Sequence, residues 1–337
     1  MAASWILLIF FIGVFLFLGW YFGSKQNQWV FPDPTKDPLE DCSGKEQRIE
    51  LPLIFDPYNG IYRTKIHLGD ENNSIRFDVV PDTGSSILIV SGPECANCPR
   101  QDGVWNYSLG RRAGSQGVIR YGGGQETRYI PWRALLRDYD RPDDATDGPG
   151  KEVDFGVITS TLSPDGRPLN VLGLQGEGPG FLAGVCGEKT VIFDFVHSKL
   201  YLGKSDDVLS RAAFKRTFKL LKPPAGPAYI LARIKSMKIN GNPVPAGIMP
   251  EYAVLDTGTT NSIVSPGLGQ LLRNPAQVEI TFDNGDTTGS SVVFSSTPSN
   301  VDVDRIYVPN AMMIGNQWLK NYGIGFLHDQ DQIVIFQ

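Results

Sequence analysis

The chain has 337 residues, with 37 Gly, 24 Pro and a formal net charge of −5 at pH 7. That length holds two lobes, or one large domain with attachments, and the Gly and Pro carry no collagen-like period. No basic field is present, which excludes a nucleic-acid binder, and His67, His197 and His328 are scattered without an HExxH-like cluster, which argues against a His-based metal centre.

Residues 1–24 form a separate unit. From Trp5 to Phe22 every residue is apolar or Gly, with no charge. Eighteen residues at helical rise span about 27 Å, nearly a bilayer core. Trp5, Trp20 and Tyr21 sit near its ends, where interfacial aromatics belong. A secretory apolar region is shorter and ends in a small-x-small site, for which Gly19 and Gly23 are poor candidates. The length therefore favours a retained anchor at residues 5–22 over a cleaved signal peptide. The side of the membrane stays open. Lys25, Lys36, Lys45 and Arg48 follow the span, which by the positive-inside rule holds the rest in the cytosol. The sequons beginning at Asn72 and Asn106 are compatible with a lumenal or extracellular face, in an endomembrane or a virion.

Residues 25–48 are polar, contain Pro32, Pro34 and Pro38, and read as a linker. From Ile49 the pattern changes to short apolar or alternating runs broken by Gly, Pro, Asn and Asp. Strands are expected at Ile61–Leu68, Ser74–Val80, Gly117–Tyr121, Thr190–Leu202, Tyr229–Ile239 and Gln332–Phe336. Short helices are expected at Leu268–Leu272 and Trp318–Tyr322, and a surface loop at Asp138–Lys151. The protein reads as mostly β. Cys95 and Cys98 form a CxxC with no thioredoxin-like context; it reads first as a local disulfide, then as free thiols, then as metal ligands. Cys42 and Cys186 either pair or stand inert.

One local sentence occurs twice. FDVVPDTGSSILIVSG carries Asp82-Thr83-Gly84, and EYAVLDTGTTNSIVSP carries Asp256-Thr257-Gly258, 174 residues on. Each is followed by an apolar-apolar-Gly segment, Val171-Leu172-Gly173 and Met313-Ile314-Gly315, and then by a hairpin-like ending, at 190–203 and 323–336. The repeat suggests a duplicated unit, with lobes at 49–210 and 211–337, that brings two carboxylates to one site. Paired carboxylates perform acid–base hydrolysis without a metal or a covalent nucleophile. The plainer reading is two structural Asp-Gly turns, but two turns need no shared flanking pattern.

These motifs resemble the pepsin family of bilobal aspartic proteases over roughly Glu50 to Gln337. The opening IELPLIFDPYNGIYRTKIHLG resembles that family's first strands, and AMMIGNQWLKNYGIGF its penultimate block. Ile119 to Gly124 (IRYGGG) resembles its flap, which puts Tyr121, Gly122 and Gly123 over the substrate; the alternative for Tyr121 is an ordinary strand tyrosine. The resemblance implies a mostly-β, bilobal, monomeric endopeptidase with a polypeptide substrate and no cofactor. Asp82 and Asp256 are then catalytic, Thr83 and Thr257 brace the loops, and Ser85 and Thr259 bond the outer carboxylate oxygens. Gly84 and Gly258 allow sharp turns and close approach. Four departures stand out: Pro81 before the first Asp, Ile89 where a Trp usually supports the flap tyrosine, Asn316 where Asp is common, and no cysteine in the second lobe. Residues 23–48 do not read as an inhibitory prosegment. The competing function is a catalytically inactive relative that binds peptides or proteins in the same cleft.

Overall fold

The computed structural model describes residues 49–120, 126–137, 151–162, 170–176, 181–184, 189–203, 206–212, 214–221, 230–285, 289–304, 306 and 308–337. The apolar segment 5–22, the linker 25–48, Tyr121, Gly122, Gly123, Cys42, Cys186 and the loop 138–150 lie outside the described residues. Among the described residues no helix is long and apolar enough to cross a membrane.

The protein is mostly β. In chain order the strands up to residue 202 are β1 (Ile49–Pro52), β2 (Ile54–Asp56), β3 (Ile61–Gly69), β4 (Ser74–Asp82), β5 (Leu88–Ser91), β6 (Arg111–Arg112), β7 (Gly117–Arg120), β8 (Glu126–Arg137), β9 (Lys151–Leu162), β10 (Val171–Gly173), β11 (Thr190–Asp194) and β12 (Lys199–Leu202). Then come β13 (Lys215–Lys219), β14 (Leu231–Ile239), β15 (Asn242–Pro243), β16 (Tyr252–Leu255), β17 (Ser262–Val264), β18 (Ala276–Phe282), β19 (Ser290–Ser296), β20 (Val301–Val303), β21 (Ala311–Ile314), β22 (Gly323–Leu327) and β23 (Gln332–Phe336). The expected strands form over their described residues, and 190–202 makes the expected hairpin, with a turn where Ser198 has a positive φ. Both expected helices start earlier, at Pro266 and at Asn316. Ser265 caps the first by accepting from Leu268 N–H, with Pro266 preorganised in its opening turn.

Alternation decides which faces are buried. In β18 and β19 every second side chain points into the core, with Val278, Ile280, Val292 and Phe294 inside. β11 is buried along its whole length, because its sheet is covered on both faces. That sheet has the order β1-β12-β11-β22-β23-β13. Three of its strands precede residue 210 and three follow, so the two sequence segments are joined by β11–β22 pairing and by Phe193 meeting Phe326 edge-on.

The other two sheets repeat one local arrangement. In the first, β10 lies between β4 (parallel) and β5 (antiparallel), and β5 pairs with β9 in parallel. In the second, β21 lies between β16 (parallel) and β17 (antiparallel), and β17 pairs with β20 in parallel. The duplicated sequence pattern is thus a duplicated strand pattern, and in each copy the Asp-Thr-Gly loop leaves the end of the strand next to the apolar-apolar-Gly strand.

Candidate active site

Each aspartate sits where a buried strand runs out into a tight loop. β4 ends in buried Val79 and Val80, and Asp82 faces Gly173 in the parallel register, with Leu174 N–H donating to the Asp82 carbonyl (2.8 Å). β16 ends in buried Ala253, Val254 and Leu255, and Asp256 N–H donates to the Ile314 carbonyl (3.1 Å). Each carboxylate closes its own loop: Gly84 N–H donates to Asp82 Oδ1 (2.7 Å) and Gly258 N–H to Asp256 Oδ1 (2.8 Å).

The two loops meet. A Cβ added at Gly84 would stand 3.0 Å from the Asp256 carboxylate, and one at Gly258 would stand 2.4 Å from Asp82 Oδ1. Glycine is required at 258 by this close approach, not by a left-handed backbone. Between the loops the two threonines reciprocate. Thr83 N–H donates to Thr257 Oγ1 (3.1 Å) and Thr257 N–H to Thr83 Oγ1 (3.0 Å). Thr83 Oγ1 donates to the Leu255 carbonyl (2.9 Å) and Thr257 Oγ1 to the Pro81 carbonyl (2.8 Å). Every backbone group at this buried junction that faces a threonine is thereby satisfied across the interface. Pro81 fits because its carbonyl, not the N–H it lacks, is used.

The electrostatics follow from that closeness. Burial, and then the facing charge of Asp256, hold the Asp82 carboxyl well above its ordinary range. Side-chain contact with Asp256 raises it further, as expected of two acids that cannot both ionise cheaply. The Ser85 hydroxyl and the Gly84 N–H act the other way. The outer oxygens are not treated alike. Thr259 Oγ1 donates to Asp256 Oδ2 at 2.8 Å, whereas Ser85 Oγ is close enough to favour the Asp82 carboxylate without completing a hydrogen bond, and is buried without a partner. The expectation of matched outer bonds therefore holds for Thr259 only, because only its hydroxyl has the geometry of a full bond.

Tyr121, Gly122 and Gly123 lie outside the described residues, but the hairpin that carries them, β7 and β8, is present up to Arg120 and from Glu126. Beneath it sits a small apolar cluster of Ile87, Ile89, Tyr129, Ile158 and Val171, with Ile119 packed against it. Ile89 is fully buried there, and burial pushes the Tyr129 hydroxyl up to about 12. Cys95 and Cys98 join the cluster as a disulfide, with Cα atoms 5.4 Å apart. Among the described residues no group of three or more His, Cys, Asp or Glu is arranged to hold a metal ion.

Gln175 and Asn170 support the loops without a motif to mark them, and Asn316, which the sequence marks only as a departure, supports the second loop. Gln175 Nε2 donates to the Gly84 carbonyl (3.0 Å), and its N–H donates to the Ser85 carbonyl (3.0 Å). Asn316 Nδ2 donates to the Thr257 carbonyl (2.6 Å) from a fully buried position. Asn170 is also fully buried, at the head of β10. Gln175 and Asn170 flank Val171-Leu172-Gly173-Leu174, and a buried amide beside an apolar strand was the only signal on offer. The chain matches no protein-family model and no curated protein.

Proposed function

We propose that this chain is an aspartic endopeptidase with the bilobal pepsin-like architecture, acting through Asp82 and Asp256. The observation that carries the reading is the meeting of two carboxyl groups from duplicated loops 174 residues apart, buttressed by reciprocal threonine bonds. Turns that served structure alone would have no reason to bury two acids against each other, since two carboxylates so close ionise together only at high cost.

In this reading the pair shares one proton, as the two aspartates of pepsin do, and holds a water between its inner oxygens. The ionised member takes a proton from the water as its oxygen attacks the peptide carbonyl. The protonated member donates to the carbonyl oxygen, giving a neutral gem-diol. Collapse returns the hydroxyl proton to one aspartate while the leaving nitrogen receives the other proton and departs as an amine. The titration belongs to the pair. In the flap role that the resemblance gives it, Tyr121 closes over the substrate and excludes water. The polypeptide substrate lies between the lobes, and residues 5–22 tether the enzyme to a membrane, with the catalytic part on the lumenal or extracellular side.

The test is a digest of a mixed peptide pool from strongly acidic to neutral pH, with and without a statine-type transition-state mimic. Cleavage blocked by the mimic, and abolished in folded Asp82→Asn and Asp256→Asn, is the expected result. Full cleavage by either variant refutes the mechanism. A folded wild-type protein that cuts no peptide at any pH supports the binding-only alternative.

A further inference from the structure

The inner threonine bonds are not the only link between the two aspartate loops. A second polar chain leaves the strand behind Asp82, crosses the first sheet and ends beside Asp256. Its centre is Arg63 on β3, a side chain only 16% exposed. Arg63 Nε donates to Asp56 Oδ2 and Nη1 donates to Asp102 Oδ2, both at 3.0 Å. One guanidinium fork thus spans two carboxylates, which a single ammonium cannot do.

On one side Asp102, itself buried, offers its backbone carbonyl to Asn170 Nδ2 (2.8 Å). The Asn170 amide is saturated. Oδ1 accepts from Ser91 N–H (2.7 Å) and Ser91 Oγ (2.8 Å), and Nδ2 also reaches the Asp78 carbonyl (3.3 Å). The Asn170 carbonyl accepts from Val80 N–H (2.8 Å), two residues before Asp82. Asn170 therefore ties together the strand entering the Asp82 loop, the strand leaving it, and β10 beneath it. On the other side Asp56 Oδ2 also accepts from Asn59 Nδ2 (2.7 Å), and Oδ1 accepts from Tyr58 N–H (3.0 Å), which sets the turn from Asp56 to Gly60. The Asn59 carbonyl then accepts from Thr260 Oγ1 (2.8 Å). The turn is seated closely on that residue, since a Cβ on Gly60 would stand 2.5 Å from Thr260 Cγ2. Thr260 adjoins Thr259, the donor to Asp256 Oδ2.

We propose that Arg63 is a positioning residue for the two aspartates: with Asp56, Asp102 and Asn170 it forms an outer brace that fixes one loop relative to the other. The inference rests on the dyad reading above. The ion pair of Arg111 with Glu152, by contrast, lies exposed and reaches from β6 across β8 to β9 within one sheet, touching neither aspartate loop. The Arg63 chain is part-buried at the guanidinium and exposed at the bond between Asn59 and Thr260; one end is tied to the strands that flank the Asp82 loop and the other terminates on the Asp256 loop. Cutting it in the middle frees each loop to drift, which separates the carboxyl groups and admits water between them.

The experiment uses the full chain in detergent micelles, with aspartate carboxyl carbons labelled and the Asp82 resonance assigned through Asp82→Asn. In Arg63→Met the Asp82 titration moves down towards the ordinary carboxyl range, since both the burial and the facing charge of Asp256 weaken. Peptide turnover kcat falls roughly tenfold with KM within about twofold, as expected for lost alignment. Arg63→Lys, which keeps one of the two links, falls between. Because Arg63→Met leaves buried Asp102 uncompensated, Thr260→Val is the companion: it cuts only the far bond, shifts the same titration less, and adds nothing on top of Arg63→Met. Arg111→Met is the control and changes neither readout. If Arg63→Lys and Thr260→Val lower thermal stability but leave the Asp82 titration and the kcat/KM split unmoved, Arg63 is an ordinary ion pair and the inference is wrong. If the wild-type protein cleaves nothing, the proposed function falls while the titration still decides the brace.

Discussion

Replacing Thr257 by Val tests the inner junction at a single atom. The side chains have the same shape, so no cavity opens and the whole effect comes from the missing hydroxyl. Thr257 is 1% exposed, and its Oγ1 accepts from Thr83 N–H and donates to the Pro81 carbonyl. Both groups are left buried without partners, at about 1–3 kcal/mol each, for a total of about 2–6 kcal/mol. For the roughly 290 residues from Ile49 onward, an unfolding entropy near 2.1 cal/mol/K per residue gives about 0.6 kcal/mol per degree. The midpoint should fall by about 3–10 °C in a thermal scan, with urea unfolding giving the free energy and an unchanged slope. Thr83→Val strands the Thr257 N–H and the Leu255 carbonyl, so it should cost a similar amount. A loss below about 0.5 kcal/mol in either variant, the level of an ordinary surface change, would refute the reciprocal bracing. So would a large loss in one and none in the other.

Two further outcomes follow from the same geometry. Asp82 holds its proton more tightly in the folded chain than the ordinary value of 3.8, so its contribution to stability is complete below that value and is lost as pH rises through the raised folded one. Asp82→Asn keeps an acceptor for Gly84 N–H and removes the titration. The variant should be inactive yet more thermostable than wild type at pH 7, with a flatter stability profile on the acidic side; lower stability at pH 7 would contradict the assigned strain. Gly258→Ala drives a methyl to 2.4 Å from Asp82 Oδ1, while Gly84→Ala meets the Asp256 carboxylate at 3.0 Å. Turnover in Gly258→Ala should fall at least about a hundredfold and further than in Gly84→Ala, since an ångström of displacement costs about that much; equal losses would mean the loops do not approach as described.

Much of this was legible in the residue order. Alternation gave the strands, because a sheet with one buried face repeats every two residues whatever it packs against. The repeated Asp-Thr-Gly pattern pointed to paired carboxylates, and the backbone places them together. The CxxC spacing suits a local bridge, and Cys95 and Cys98 form one. The first helix starts earlier than its apolar spacing suggests because Ser265 caps it before Pro266.

The sequence by itself determined the β-rich class, the duplicated unit and the two acids, since each is written in local periodicity or in a short motif. Tertiary structure alone decided that one sheet draws strands from both segments, that Thr259 completes its bond while Ser85 does not, and that Arg63 stands between two carboxylates 46 residues apart in the chain. The physical reason is that periodicity reports which face of a strand avoids water, whereas a hydrogen bond depends on tenths of an ångström between groups that no local pattern relates.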